Sequence, residues 1–162
     1  MSQMKILANE TAKELVEEHH DLIYNFIVEH LGGSDKQDLL ENLNIRIEQQ
    51  KGNREISPGI CSVKEDFYNP VIILYEEGLK AELPETHFWG CTFDQLRMHV
   101  LFHELSHLVI WLSDIEGNMS FFKSDEARND PKEEAICNSL AERYLKLNGF
   151  LSDLRCVYCD PI

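Results

Sequence analysis

The sequence has no apolar run long enough to cross a membrane, and its first residues, Met-Ser-Gln-Met-Lys, lack the apolar core of a secretory signal peptide. Basic residues are also scarce: 15 Lys and Arg stand against 29 Asp and Glu, so the 162 residues carry a formal net charge of −14. This charge argues against direct contact with nucleic acid or with an anionic membrane surface. We therefore expect a cytoplasmic protein that binds neither, of a length that suits one domain.

Cysteine pairs that would indicate a disulfide framework or a zinc ribbon are lacking too. The five cysteines are odd in number, and in the cytoplasm we expect them to stay reduced. Cys156 and Cys159 form a single CxxC motif, whereas a zinc ribbon needs a second such pair. We expect these two residues to belong to an ordinary tail, with a second metal site as the less favoured alternative.

A metal-binding pattern is present at residues 103–107, which read His-Glu-Leu-Ser-His. On a helix His103 and His107 share a face, because they are separated by four positions, and two imidazoles there can bind one metal ion. Glu104 would then lie beside the ion, where its carboxylate could take a proton from water. The competing interpretation is a buried helix whose histidines only hydrogen-bond their neighbours.

The residues around this motif predict a long and largely buried helix. Thr92 and Gln95 fit a capping box, so the helix would run from about Phe93 to about Leu112. Apolar side chains surround the polar positions of this stretch. Burying two histidines and a glutamate among them costs free energy unless they gain partners, and a zinc ion would supply those partners.

A third metal ligand has to come from elsewhere, because the sequence has no histidine after His107. Catalytic zinc usually takes three protein ligands and keeps its fourth position for water. The metzincin pattern is excluded, since Ser113 stands where a third histidine or aspartate would be needed. The remaining source is a glutamate on a second helix, which is predicted with Asp130 as its N-cap, Pro131 as its first residue and Gly149 just past its end.

Two glutamates in the first turn of this second helix qualify as the ligand. Glu133 lies nearer the centre of the helix's apolar arc, but it is also the expected capping-box partner. Glu134 shares a stripe with Asn138, whose amide could hold a ligating histidine by a hydrogen bond. We prefer Glu134 and leave Glu133 open, and ordinary first-turn acids favoured by the helix dipole remain the alternative for both.

The two motifs together resemble a known family. The HELSH motif at residues 103–107, followed after a loop by Glu134-x-x-Cys137-Asn138-x-x-Ala141, is similar to the ImmA/IrrE family of small zinc metallopeptidases, with a gluzincin-like HExxH and a downstream ExxxN. The strand-like residues 69–75 and Arg97 agree with it, so the resemblance covers roughly residues 60–145. The chain departs from the family where Ser106 replaces the usual glycine and Cys137 the commoner alanine, and no helix-turn-helix is evident.

The resemblance implies an α+β fold: a compact, single-domain, zincin-like metallopeptidase core with a small sheet, the HExxH helix and a second ligand-bearing helix. It also implies proteolysis of a protein substrate such as a repressor or another regulatory protein. In this interpretation Zn²⁺ is bound by His103, His107 and Glu134, and Glu104 is the catalytic residue.

Along the chain we expect a single metallopeptidase-like domain over residues 1–162, in three parts: a helical N-terminal part (1–51), the zincin-like core (56–148) and a tail (149–162). The N-terminal part would contribute two extra helices, one from about Leu7 to Leu31 and one from Ser34 or Asp35 through Ile47 to about residue 50. Residues 56–83 are β-like, and their clearest strand is residues 71–75.

The remaining histidines are not expected to bind metal. His19, His20 and His30 would lie on the surface of the first helix. His99 would also lie on a helix surface, with a place in the cleft, where it could polarise a substrate carbonyl, as the less favoured alternative. For Tyr144 we expect core packing in preference to a role as an electrophile.

The predicted function is hydrolysis of peptide bonds, with a protein or peptide as the partner. Zinc would lower the pKa of a bound water to about 7 and polarise the scissile carbonyl, while Glu104 takes the proton and passes it to the leaving amine. The first alternative is a regulatory or interaction protein that keeps zinc for structure, with the loop at residues 113–129 capping the metal or docking a partner. The second is a metal-free helical adaptor. The sequence does not predict the oligomeric state.

Overall fold

The computed structural model describes residues 4–31, 40–49, 58–62, 69–82, 92–113 and 131–150. Its elements in chain order are β1 (Lys5–Ala8), α1 (Lys13–Leu31), β2 (Asn42–Glu48), β3 (Gly59–Ser62), β4 (Val71–Tyr75), α2 (Glu76–Glu82), α3 (Phe93–Ser113) and α4 (Pro131–Leu147). This confirms the α+β class. No helix among the described residues combines the length and the apolar character needed to cross a membrane.

The four strands form one mixed sheet in the order β1-β2-β4-β3. β2 pairs in parallel with β1 and β4, and β3 pairs antiparallel with β4. Successive side chains of a strand point to opposite faces, and every second residue of β2 is buried, namely Leu43, Ile45 and Ile47. Helix α1 contacts β1, and α3 contacts β3 and β4, so the sheet supports the helices that carry the site.

The prediction of a second N-terminal helix through Ile47 is wrong for the residues that the structure describes, because residues 42–48 form β2. Leu43 and Ile47 are four residues apart, which suits a helix face, but Ile45 between them completes a period of two. Pairing with β1 and β4 favours the strand over the helix, because both neighbouring strands form hydrogen bonds with the backbone N–H and C=O groups of β2. The expected caps at Ser34 and Asp35 lie outside the described residues.

Two further elements of the fold differ from the expectation. The first helix begins at Lys13 instead of about Leu7, because residues 5–8 form β1 beside β2. In the region expected to be β-like, β4 is confirmed, but helix α2 follows it directly. Acidic residues in the first turn of α2 and Lys80 in its last turn complement the helix dipole, which explains the helix.

The HExxH helix is confirmed as α3. Its capping box forms as predicted: the Gln95 backbone N–H donates to the Thr92 hydroxyl oxygen at 3.1 Å, and the Thr92 N–H donates to Gln95 Oε1 at 3.0 Å. Residues on all sides of α3 are buried, because it contacts the sheet, α1, α2 and α4. The motif at 103–107 thus lies in the middle of the best-packed helix of the described chain.

The second helix expected to carry a ligand is confirmed as a helix, α4, although its expected cap, Asp130, lies outside the described residues. It ends in a Schellman motif: the Phe150 N–H donates to the Leu145 carbonyl at 2.8 Å and the Gly149 N–H to the Lys146 carbonyl at 3.2 Å. Gly149 has a φ of 79°, the left-handed conformation that this motif requires. The Phe150 carbonyl in turn accepts a hydrogen bond from Gln95 Nε2 at 3.1 Å, which joins the end of α4 to the start of α3.

Candidate metal centre

The candidate site lies between α3 and α4, whose contacts run in opposite directions along the two helices. Residues early in α4 contact residues late in α3, as the pairs Glu133–Trp111 and Glu134–His107 show. The antiparallel arrangement puts the first turn of α4 against the HExxH motif. Side chains separated by about thirty positions in the sequence therefore meet in one cluster.

Three of the predicted ligands come together there. Glu134 Oε2 lies 2.9 Å from His103 Nε2, and Glu134 Oε1 lies 3.0 Å from His107 Nε2. One ligand atom from each of His103, His107 and Glu134 lies within 4.8 Å of the other two, so this group could hold a metal ion. It is the one such group among the described residues.

The other glutamate, Glu133, lies on the opposite side of the same imidazole. The Nδ1 of His107 donates to Glu133 Oε2 at 2.8 Å, and the Trp111 indole N–H contacts the same carboxylate at 3.2 and 3.3 Å. Glu133 is only 9 % exposed. Of the two glutamates left open by the sequence, Glu134 thus belongs to the group of ligand atoms, and Glu133 contacts the ring nitrogen that faces away from it.

The electrostatics of the group favour a positive charge at its centre. Burial opposes protonation of His107, but hydrogen bonds with Cys137, Glu133 and Glu134 outweigh it and raise the His107 pKa far above its ordinary value. Burial likewise raises the pKa of Glu134, yet hydrogen bonds with His103 and His107 lower it to about 2. A cation shared by the three side chains could supply that charge, and two imidazoles with one carboxylate suit zinc among other divalent metals. The residues present therefore fit the expected metal.

Glu104 lies beside this group without belonging to it. Its side chain is 7 % exposed, and its negative charge contributes to the raised pKa of His107. Because it follows His103 directly on α3, it points away from the His103–His107 stripe by about 100°. The Glu104 carboxylate is therefore close enough to the cluster for its charge to act on His107.

The surface position expected for His99 is wrong, since only 2 % of this residue is exposed. Its ring centroid lies 6.5 Å from that of His103, and its side chain hydrogen-bonds with Asn138 of α4. Burial, together with the nearby His103, lowers the His99 pKa to about 3 despite the opposing effect of Asn138. The helix period placed His99 correctly beside His103, but only the packing of α4 shows that this face is covered. The expected role of Asn138 toward a ligating histidine stays a prediction.

The remaining candidates lie outside the cluster. Tyr144 has the core role expected of it: its hydroxyl donates to the Leu22 carbonyl at 2.8 Å. His20 is exposed, as expected for the surface of α1, whereas His19 and His30 are partly buried. His19 contacts the ring of Phe150, and His30 Nδ1 donates to the Phe26 carbonyl at 2.9 Å. The CxxC pair and the loop at residues 114–130 lie outside the described residues.

The contact between Trp111 and Glu133 was not predicted from the sequence. The signal was present, because Trp111 follows His107 at the same four-residue spacing that joins the two histidines of the motif. The three side chains therefore form one stripe on α3. An indole on that stripe, opposite a helix that begins with two glutamates, could have suggested a partner for one of them.

Comparisons of the chain with protein-family models, with curated proteins and with solved structures find no match. The likeness to the ImmA/IrrE family therefore consists of the motif residues and their spacing.

Proposed function

We propose that this protein is a zinc-dependent peptidase with a zincin-like core, in which His103, His107 and Glu134 hold the metal. The observation that carries the proposal is the convergence of these three side chains from two helices, with ligand atoms within 4.8 Å of one another. Two histidines and one glutamate form a ligand set that occurs in catalytic zinc sites. The resemblance of both motifs to the ImmA/IrrE family supports the same assignment.

In the proposed mechanism His103, His107 and Glu134 would hold the metal, which would supply Lewis acidity toward a peptide carbonyl and toward water near neutral pH. Glu104 would accept a proton from the attacking water and return it to the leaving amine. Its burial next to His103 and its electrostatic effect on His107 support this role. Glu133 would keep Nδ1 of His107 protonated, so that Nε2 stays turned toward the ligand group.

The proposed substrate is a protein or peptide in the cytoplasm, and the family resemblance favours a regulatory protein such as a repressor. The formal net charge of −14 would attract a basic segment more readily than an acidic one. The same charge disfavours nucleic acid and anionic membranes as partners.

A second candidate is a zinc-binding regulatory protein without proteolytic activity. The observation that favours it is Cys137, a buried thiol that hydrogen-bonds with His107, because thiolates are common ligands of structural zinc. Cys137 is not a member of the described three-residue group. If it were a fourth ligand, Cys137→Ser would weaken zinc binding as strongly as His103→Ala, and near-normal affinity in Cys137→Ser would remove the observation that favours this candidate.

The decisive experiment combines zinc content with peptide hydrolysis in Glu104→Gln. We expect the variant to keep one zinc per chain by elemental analysis and to lose the cleavage that the wild-type protein shows with a fluorogenic peptide library. The matched control is Glu14→Gln, the same chemical change at an exposed position of α1. Cleavage that persists in Glu104→Gln would defeat the proposed role of Glu104. Bound zinc without any cleavage by the wild-type protein would favour the second candidate.

A further inference from the structure

We infer that Trp111 is a positioning residue of the metal centre: its indole N–H fixes the Glu133 carboxylate, which in turn orients His107. The inference rests on the proposed metal site. It goes further by assigning a function to a residue that binds neither metal nor substrate. In this arrangement the order of contacts from the site outward is His107, Glu133 and Trp111.

The geometry links the three side chains continuously. The Trp111 N–H lies 3.2 Å from Glu133 Oε1 and 3.3 Å from Oε2, so it is shared between both oxygens. Oε2 also accepts the hydrogen bond from His107 Nδ1 at 2.8 Å. A donor shared by both oxygens resists rotation of the carboxylate, since rotation would lengthen one contact or the other.

The indole ring also limits the imidazole directly. The ring centroids of His107 and Trp111 lie 5.6 Å apart with an interplanar angle of 35°. The two side chains are one turn apart on α3, so the indole packs along the side of the imidazole that Glu133 contacts. His107 is thus held by a hydrogen bond from Nδ1 to Glu133 and by packing against the Trp111 ring.

Burial makes the indole N–H important to this arrangement. Trp111 is 6 % exposed and Glu133 is 9 % exposed, so the Glu133 carboxylate lies in a site that water hardly reaches. A buried carboxylate needs donors, and the indole nitrogen can only donate. With that carboxylate fixed, its hydrogen bond with Nδ1 of His107 leaves Nε2 as the ring nitrogen that faces Glu134 and the proposed metal.

The test measures zinc affinity by competition with a chromophoric chelator in the full-length wild type, Trp111→Phe, Glu133→Gln and the double variant. Trp111→Phe keeps an aromatic ring and removes only the donor, and we expect zinc to bind about three- to tenfold more weakly. A residue that only fills space would weaken binding independently of Glu133. A residue that acts through Glu133 should leave the double variant within about twofold of Glu133→Gln alone.

A second measurement does not depend on how Trp111→Phe folds. In a ¹⁵N-labelled Trp89→Phe chain the one remaining indole N–H signal belongs to Trp111. We expect that signal to shift when Zn²⁺ is added, and to lose most of the shift when Glu133→Gln is also introduced.

The outcomes separate the inference from the proposal beneath it. The inference alone would be overturned if the wild type binds zinc and Trp111→Phe binds it with the same affinity. It would also be overturned if the losses of zinc affinity in the two single variants add fully in the double variant. A Trp111 indole N–H signal that does not shift when Zn²⁺ is added would also overturn the inference alone. Failure of the wild type to bind zinc would overturn both.

Discussion

At the scale of single residues, the site depends on two adjacent glutamates that contact opposite nitrogens of one imidazole. Successive residues of a helix point about 100° apart, so neighbouring side chains normally serve different surroundings. Here Glu134 lies 3.0 Å from His107 Nε2 and Glu133 lies 2.8 Å from His107 Nδ1. The imidazole is therefore enclosed from both sides by a single turn of α4.

Exchanging each glutamate for glutamine should separate the two contacts. In Glu134→Gln we expect the protein to lose its stoichiometric zinc, because a neutral amide replaces the anionic ligand. In Glu133→Gln we expect one zinc per chain with an affinity about 10- to 100-fold weaker. Elemental analysis gives the stoichiometry and chelator competition the affinity. Zinc that remains at full stoichiometry in Glu134→Gln would reverse the assignment.

His99 should make the apo protein sensitive to acid. Its pKa is about 3 in the folded protein and about 6.5 when unfolded, so the unfolded chain takes up the proton first. The stability contributed by neutral His99 is thus present above pH 6.5 and is lost as the pH falls toward 3, at up to about 1.4 kcal/mol per pH unit.

The measurement is urea unfolding of zinc-free wild type and His99→Gln at pH 7 and pH 5. Other groups, including His107, titrate in both proteins and largely cancel in the difference. We expect the stability advantage of the wild type to shrink by about 1–2 kcal/mol between the two pH values. An advantage that is constant with pH would mean that His99 accepts a proton in the fold as readily as in the unfolded chain.

Four residues of the candidate site could be singled out from the sequence: His103, His107, Glu133 and Glu134. The four-residue spacing of His103 and His107 fixes their common face, and the two glutamates were the only ligand candidates left in the second helix. The sequence favoured Glu134 but left Glu133 open, because the angle at which α4 meets α3 depends on packing. The buried state of His99 was missed for the same reason.

At the scale of elements, local signals predicted α3, α4 and β4, and non-local pairing explains what the sequence analysis missed. The caps Thr92 and Gly149 act within one turn of their helices, so the sequence alone reveals them. β1 and β2 are stabilised by hydrogen bonds to strands far along the chain. In β2 the apolar residues fit both a helical and a strand period, and pairing with β1 and β4 is what makes this segment a strand.

Gly59 should be required where β3 packs against α3. A Cβ at this position would lie 2.9 Å from Val100 Cγ1 and 3.1 Å from the Ile73 carbonyl oxygen, closer than side chains normally approach. We expect Gly59→Ala to lower the free energy of unfolding by about 1–3 kcal/mol, because strand or helix must shift.

Gly149 provides the contrast for this variant. A Cβ there has nothing within 4 Å, but the φ of 79° is unfavourable for alanine. Gly149→Ala should cost about 1 kcal/mol, and Gly149→Asn less, because asparagine tolerates this conformation. Urea unfolding compares the three variants. A Gly59→Ala protein as stable as the wild type would show that β3 and α3 have room to adjust.

At the scale of the whole molecule, three aromatic rings connect the N-terminal part to the helices of the site. Phe26 of α1, Phe102 of α3 and Tyr144 of α4 contact one another with centroid separations of 4.9 to 5.3 Å. The Tyr144 hydroxyl also binds the Leu22 carbonyl of α1. The N-terminal residues thus complete the core on which the two ligand-bearing helices rest.

Because the proposed metal joins two helices, its binding should stabilise the entire fold. Free zinc at about 100 times the dissociation constant adds about 2.7 kcal/mol to the free energy of unfolding at 25 °C. For a protein of this size we expect Tm to rise by about 5–10 °C, as measured by calorimetry with zinc and again after a chelator is added. His103→Ala is the control and should show no rise. An equal rise in both proteins would indicate zinc binding elsewhere in the chain.

The hydrogen bond from Gln95 to the Phe150 carbonyl has a consequence for how fast the ion can exchange. It fastens α3 to α4 at the end of the pair remote from Glu133 and Glu134, and the Schellman turn keeps that carbonyl in place. If the proposed ion left its three ligands, this hydrogen bond would still join the helices at their far end. We therefore expect the metal-free arrangement to stay folded and able to bind the ion again. Release of zinc should then follow the concentration and size of the chelator, at rates far above those of global unfolding.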